Sequence, residues 1–343
     1  MKKYIPIVLS VIIFVYMVSA CTQVPETPVL QEDEDCLYYI SRIPDAQGVY
    51  RICSEREPQL TFEGDSVVEF SLAQEADLAA FIVSDPAGGS TIWISDRLGQ
   101  QRENVYRCEN TLCENLLLSP DGKSVYFSLK GSQPALIQFD LTSRKETTIV
   151  QALVDFVDIS PDGSFLRFHE PLSGLVRVLS IADRELRLSF PGDLDLMGGW
   201  SPDSGKFLMG SRNVDGNLMV NGYREIDVLR GEQTDLFTLP VAIEYYQPLY
   251  SNRDTYFVLA RSGLRSSRQI WEIDRDGEFL KAITQQGNYD HYGLSISLRS
   301  GSLVFQRYDA SRTDSLPEVA MWKSEAKALY LVSEHAVRPS WLD

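Results

Sequence analysis

The chain has 343 residues, 44% of them hydrophobic, with 22 Gly and 16 Pro. That is enough to bury a large core, and the length is ordinary for one long β domain. The formal charge is −16 at pH 7, or −18 once Lys2 and Lys3 are set aside. Such a surface repels phosphate backbones and anionic headgroups, which argues against nucleic acid as a partner and against electrostatic adsorption to a membrane.

In chain order, Met1-Lys2-Lys3 is a basic start, residues 5–17 are apolar, and Val18-Ser19-Ala20-Cys21 follows. The apolar run is short for a spanning helix and is interrupted by Pro6 and Ser10. Val-Ser-Ala-Cys resembles a bacterial lipobox. The resemblance implies a lipoprotein signal peptide over residues 1–20, cleavage before Cys21 and a lipid on its thiol. It places the protein in the cell envelope, lipid-anchored on the extracytoplasmic side of a membrane. Residues 21–35 contain two prolines, a run of acids and no periodicity, and read as a solvated tether. Residues 36–343 remain for the folded domain.

Four further cysteines, Cys36, Cys53, Cys108 and Cys113, permit three disulfide pairings in an exported protein. Strands at residues 37–40 and 49–52, hairpinned about Pro44-Asp45, set Cys36 opposite Cys53. Cys108 and Cys113 bracket a short turn, Glu109-Asn110-Thr111-Leu112. Four free buried thiols are the alternative.

The chain then repeats itself. Leu118-Ser119-Pro120-Asp121-Gly122-Lys123 returns as Ile159-Ser160-Pro161-Asp162-Gly163-Ser164 and as Trp200-Ser201-Pro202-Asp203-Ser204-Gly205-Lys206, each followed by an apolar strand. Ser suits the first turn position, Pro presets φ at the second and Gly permits positive φ at the close, so each copy predicts a β-hairpin. Weaker copies extend the series, giving anchor serines Ser71, Ser119, Ser160, Ser201, Ser251, Ser297 and Ser340. Their separations are 48, 41, 41, 50, 46 and 43 residues. That period is expected of four-stranded propeller blades, whose strands are named A to D from the inside outwards.

One blade shows the order plainly, with B at 123–129, C at 135–141 and D at 146–150; another has B at 256–260, C at 269–273 and D at 279–284. Many strands are continuously apolar, as sheets covered on both faces require. The C-terminus offers strand A alone, and residues 37–41, 49–52 and 58–61 offer B, C and D. Joined, they close a ring and remove its edges. The expected fold is therefore an all-β, seven-bladed β-propeller closed by pairing of the C-terminal strand with the N-terminal strands, with six blades as the alternative. Here the chain resembles the TolB-like propellers, through its Ser-Pro-Asp-Gly repeats and the terminal Pro339-Ser340-Trp341-Leu342.

No catalytic motif emerges. The three histidines, His169, His291 and His335, are far apart in sequence, so no metal site and no cofactor are expected. His169 reads as a blade-edge residue. Ser201-Pro202-Asp203 superficially resembles a sialidase Asp-box, but turn chemistry alone demands those residues. Asp274-Arg275-Asp276-Gly277 lacks the further acids of an EF-hand loop and reads as a hairpin turn.

What remains is surface. D–A and B–C loops emerge on one face, A–B and C–D turns on the other. The A–B face reads as structural. The D–A face carries the binding candidates Tyr246, Tyr289, His291 and His335, with the insert at 213–221 and the loop at 263–268. These aromatics read equally as residues plugging the space between blades. The expected function is a monomeric, non-catalytic lipoprotein whose propeller binds an envelope or extracellular protein or ligand. The alternative is an extracytoplasmic hydrolase or lyase acting on a saccharide or peptide.

Overall fold

The computed structural model describes residues 35–342 apart from 54–56, 65, 74, 87, 110, 216–217, 240–243, 252, 262–265 and 286. Residues 1–34, on which the expected signal peptide, Cys21 and nearly all of the expected tether fall, lie outside the described residues. The domain is a seven-bladed β-propeller of seven four-stranded antiparallel sheets. Blade 1 joins both termini. Its strand A is Ala336–Leu342, and Cys36–Ser41, Gly48–Cys53 and Gln59–Glu63 are B, C and D. Blades 2 to 7 follow in chain order. Closure is by antiparallel pairing, with Leu342 opposite Cys36 and Ala336 opposite Ser41.

The Ser-Pro-Asp-Gly turn forms because its polar groups satisfy one another. Ser119 Oγ donates to Asp121 Oδ1 (2.7 Å), which also accepts from Lys123 N (3.0 Å); Ser124 N donates to Ser119 Oγ (2.9 Å). Gly122 closes the turn at φ 69°. Ser160–Asp162 and Ser201–Asp203 repeat the serine–aspartate bond at 2.7 and 2.6 Å. The backbone bond closing this hairpin runs from Ser119 N to Ser124 O, and its counterpart in blade 2 runs from Ala73 N to Leu78 O. The turn position in blade 2 is thus Ala73. Ser71 lies two residues earlier, inside strand A (Val67–Leu72), where its Oγ accepts from Leu118 N of blade 3 at 2.9 Å. Ser340 likewise lies inside its strand, opposite Tyr38. Both anchors slip in register while the blade count stands.

The core is a set of seams between blades. Seven clusters of buried residues among those described each join two neighbouring blades. Alternation along one strand feeds two of them: Val125 and Phe127 pack toward blade 2, whereas Tyr126 between them packs toward blade 4. This is why the B strands read as unbroken apolar runs. Blade 1 shares one seam with blade 7 and another with blade 2, so the ring is closed by packing as well as by pairing.

Disulfides join Cys36 to Cys53, directly opposed across strands B and C of blade 1, and Cys108 to Cys113 across the loop from blade 2 to blade 3. His169 does not lie at a blade edge. It is 7% exposed, with Nδ1 2.8 Å from Asp155 Oδ1, because strand B of blade 4 is covered on both faces.

Candidate functional site

The D–A face is shaped by bulges in the inner strands. In blade 3 the register skips between Glu114 and Leu117, with Asn115 at φ 55°. Equivalent skips put Arg338 of blade 1 at φ 53°, Gln247 of blade 6 at φ 45° and Gly293 of blade 7 at φ 60°. A bulge adds an unpaired residue, bends the strand and re-aims a side chain. Left-handed φ in non-glycine residues costs free energy, so the surrounding packing must enforce it.

Two polar groupings result. Between blades 6 and 7, the Arg268 guanidinium grips the Asp290 carboxylate from Nε and Nη2, at 3.1 and 2.6 Å, and Tyr308 Oη donates to the same carboxylate at 3.0 Å. Burial pushes Asp290 up, but the hydrogen bonds and charge of Arg268 outweigh it and hold the carboxyl below its ordinary value. His291 Nδ1 donates to the Arg268 carbonyl at 2.6 Å. Burial holds His291 below its ordinary pKa, so it is neutral at pH 7. Beside it, Arg307 pairs with Glu318 (2.9 Å) and lies 4.3 Å above the Tyr289 ring.

The second grouping encloses a cavity of about 350 Å³ between blades 1, 2 and 3. Glu69 Oε1 faces the Arg338 guanidinium at 2.8 Å, and its Oε2 accepts from Leu116 N at 2.8 Å. Asn115, at the bulge, donates to Ser128 Oγ and to Val154 O. The Cys108–Cys113 disulfide braces the loop behind the wall, and Cys113 N donates to Ser90 Oγ at 2.7 Å.

The sequence-predicted residues separate accordingly. Tyr289 and His291 fall into one network, Tyr289 half-buried and His291 buried. Tyr246 lies in strand A of blade 6 (Glu244–Tyr250), its side chain outside what is described. His335 occupies a turn at φ 50°, and its carbonyl accepts from Arg42 N at 2.7 Å. Sequence reasoning missed Glu69 and Arg338 as site residues, and it did not single out Arg268 and Asp290 although both lie in segments assigned to this face. A signal existed for Glu69, a lone acid in the apolar strand Val67–Leu72.

The opposite face holds a cleft of about 520 Å³ between blades 5 and 6, where the turn repeat decays to Ser251-Asn252-Arg253-Asp254. Tyr250 Oη and Lys206 Nζ both donate to Glu225, and Arg275 pairs with Asp254 at 2.7 Å. Burial, then the Glu225 charge, pushes Tyr250 well above its ordinary pKa. Most of the charge in this cleft is paired within it. Among the described residues no group of three or more His, Cys, Asp or Glu side chains is set to hold a metal ion.

No protein-family model matches the sequence, and no curated protein matches it. Among solved structures the chain is similar to TolB from Acinetobacter baumannii, at 17% identity and TM-score 0.53, covering 79% of this chain and 67% of that one. It is also similar to an oligogalacturonate lyase in complex with manganese, at 14% identity and TM-score 0.52, covering 78% and 75%. The acylaminoacyl peptidase of Pyrococcus horikoshii gives 13% identity and TM-score 0.58, over 78% of this chain but 46% of the peptidase. At such identities the likeness establishes fold alone. The chain is a seven-bladed β-propeller, TolB-like in fold. Folds similar to it occur in TolB, in a lyase and in a peptidase alike.

Proposed function

We propose that this protein is a lipid-anchored extracytoplasmic propeller that binds an envelope or extracellular protein or ligand through its D–A face, without catalysis of its own. The observation that carries the reading is the contrast between the faces. The Ser-Pro-Asp turns spend their polar groups on themselves, whereas the D–A face presents a cavity and an Arg–Tyr–Glu surface held by strained inner-strand residues. Two disulfides suit an oxidising compartment. The lipobox resemblance supplies the anchor, and several acyl chains make such anchoring stable. The acidic molecule favours a partner that is neutral or basic where it touches.

The test is affinity capture from native membranes. Tyr289→Ala combined with Arg307→Lys, which keeps a cation beside Glu318 but removes the guanidinium over the ring, should weaken retention of bound material while the melting temperature stays nearly constant, and Arg253→Ala on the opposite face should change nothing. Equal capture by the double variant overturns the D–A reading. In the same cells Cys21→Ser should abolish fatty-acid labelling; labelling that persists overturns the anchor.

A further inference from the structure

We infer that the cavity between blades 1, 2 and 3 receives one basic side chain, the lysine or arginine of a peptide segment laid across the D–A face. This rests on the D–A face being the binding face. The wall carries two carboxylates, Glu69 and Glu114, against a single cation, Arg338. Lys130 meets Glu114 at 3.2 Å but is not part of the wall, and both partners of that pair are substantially exposed, so it is weak and exchangeable. The Glu69 side chain is 9% exposed and already accepts a backbone N–H, which fixes its carboxylate in place. Arg338 is 53% exposed and occupies one oxygen of Glu69, leaving acceptor capacity on both carboxylates.

The remaining wall suits an aliphatic stem. Leu112 stands 42% exposed, and Val68 and the half-cystine Cys113 continue the apolar surface. Long basic side chains bury a methylene stem along such a surface while the charged head finds acceptors. A volume of about 350 Å³ is ample for one such side chain. An acidic side chain would meet two carboxylates. A neutral one would cover them without replacing their lost hydration.

The placement of the wall also favours a ligand. Asn115 and Arg338 are both non-glycine residues in the left-handed region, they come from different blades, and both face this one cavity. Bulges and backbone strain concentrate where side chains are aimed at ligands. Arg338 belongs to the C-terminal strand, so the pocket is complete only when the ring is closed.

The test uses the full propeller and Nα-acetyl-lysine methylamide, whose caps remove the terminal charges, against the norleucine analogue, followed by calorimetry and by shifts of amides near Glu114. The lysine compound should bind and the norleucine compound should bind at least about tenfold more weakly, the value of one charge-assisted hydrogen bond. Glu114→Gln should weaken lysine binding by about tenfold, and Lys130→Met, which removes a competitor, should tighten it severalfold. Glu69→Gln should also weaken binding, and its melting temperature is measured alongside because Glu69 braces Leu116. Equal affinity for the two compounds, indifference to Glu114→Gln, or no binding at millimolar concentration overturns the inference. Capture with the Tyr289 and Arg307 variants tests the face as a whole without touching this pocket, so the two failures are distinguishable.

Discussion

The Arg167 side chain is 1% exposed. Its Nε donates to Asp158 Oδ1 at 3.0 Å, its Nη2 donates to Asp158 Oδ2 and, at 2.6 Å, to the Gly198 carbonyl of blade 5. The guanidinium also lies 4.6 Å from the Phe207 ring centroid and 5.2 Å from that of Trp200. It is a polar rivet through the seam of blades 4 and 5. Arg167→Ala should lower unfolding free energy by about 3–5 kcal/mol, because it strands a carboxylate and a carbonyl in the seam. Denaturant titration checks this, and a loss within surface-mutation size would refute it. The turn acids carry a different dependence. The Ser201 hydroxyl and then the Gly205 N–H hold Asp203 below its ordinary value, and the Ser143 backbone and hydroxyl do the same for Asp140. A folded pKa below the unfolded one, about 3.9, contributes stability that is present above that value and lost as pH falls through the folded value. Melting temperature should therefore fall in two stages, a first decline from about pH 6.5 downward as the unfolded chain gains the proton that buried His291 resists, and a second below about 4 from the turn acids. A melting temperature that stays flat down to about pH 5 would refute the burial of a neutral His291, and one unchanged below about pH 4 would refute the part assigned to the turn acids. Of all this the turn was legible, since its chemistry is local. Arg167 and Asp158 were not sought, although each is a lone charge inside an apolar run, Phe165-Leu166-Arg167-Phe168 and Phe156-Val157-Asp158-Ile159.

Strands and turns were read with unequal success. The blade 3 strands came within one residue of Ser124–Lys130, Ala135–Asp140 and Lys145–Val150, because apolar runs between turn residues mark their own limits. A second turn, read once at Asp274-Arg275-Asp276-Gly277, also repeats, and the repetition was not legible. Asp96, Asp227 and Asp274 each open a C–D turn and accept two backbone N–H groups further along, at 2.7 to 3.0 Å. Scattered aspartates reveal this only once the strands are aligned. The inner-strand bulges were invisible for a different reason. Left-handed φ falls on Arg338 and Gln247, whose side chains give no local cue for it, and on Asn115, a residue type that tolerates it but is also common in turns and caps. The candidate pocket is assembled from those bulges, which is why it was not foreseen, while Tyr289 and His291 stood out as aromatic residues in a stretch read as a loop, although both lie in the inner strand Tyr289–Ile296 of blade 7.

Seven blades followed from counting repeats, and closure followed from matching incomplete ends, since a missing inner strand at one terminus and a spare one at the other leave few alternatives. Deleting residues 339–343 should expose the apolar faces of blades 2 and 7 beside blade 1 and cause aggregation or a stability loss well beyond that of a surface substitution. A truncated chain melting like the full-length one would refute the blade 1 assignment. Closure also has a timetable. Cys36 pairs with Leu342, so the first hairpin waits through synthesis of almost the whole chain before its inner neighbour arrives. A lone two-stranded hairpin is marginal in water and offers an open edge to any passing strand. The Cys36–Cys53 bond lies within that hairpin, and Asp35, just before it, accepts from Ser297 Oγ of blade 7 at 2.8 Å. The covalent link preserves the register of a template whose last strand is still unmade, and the aspartate ties it to blade 7, alongside which that strand will enter blade 1.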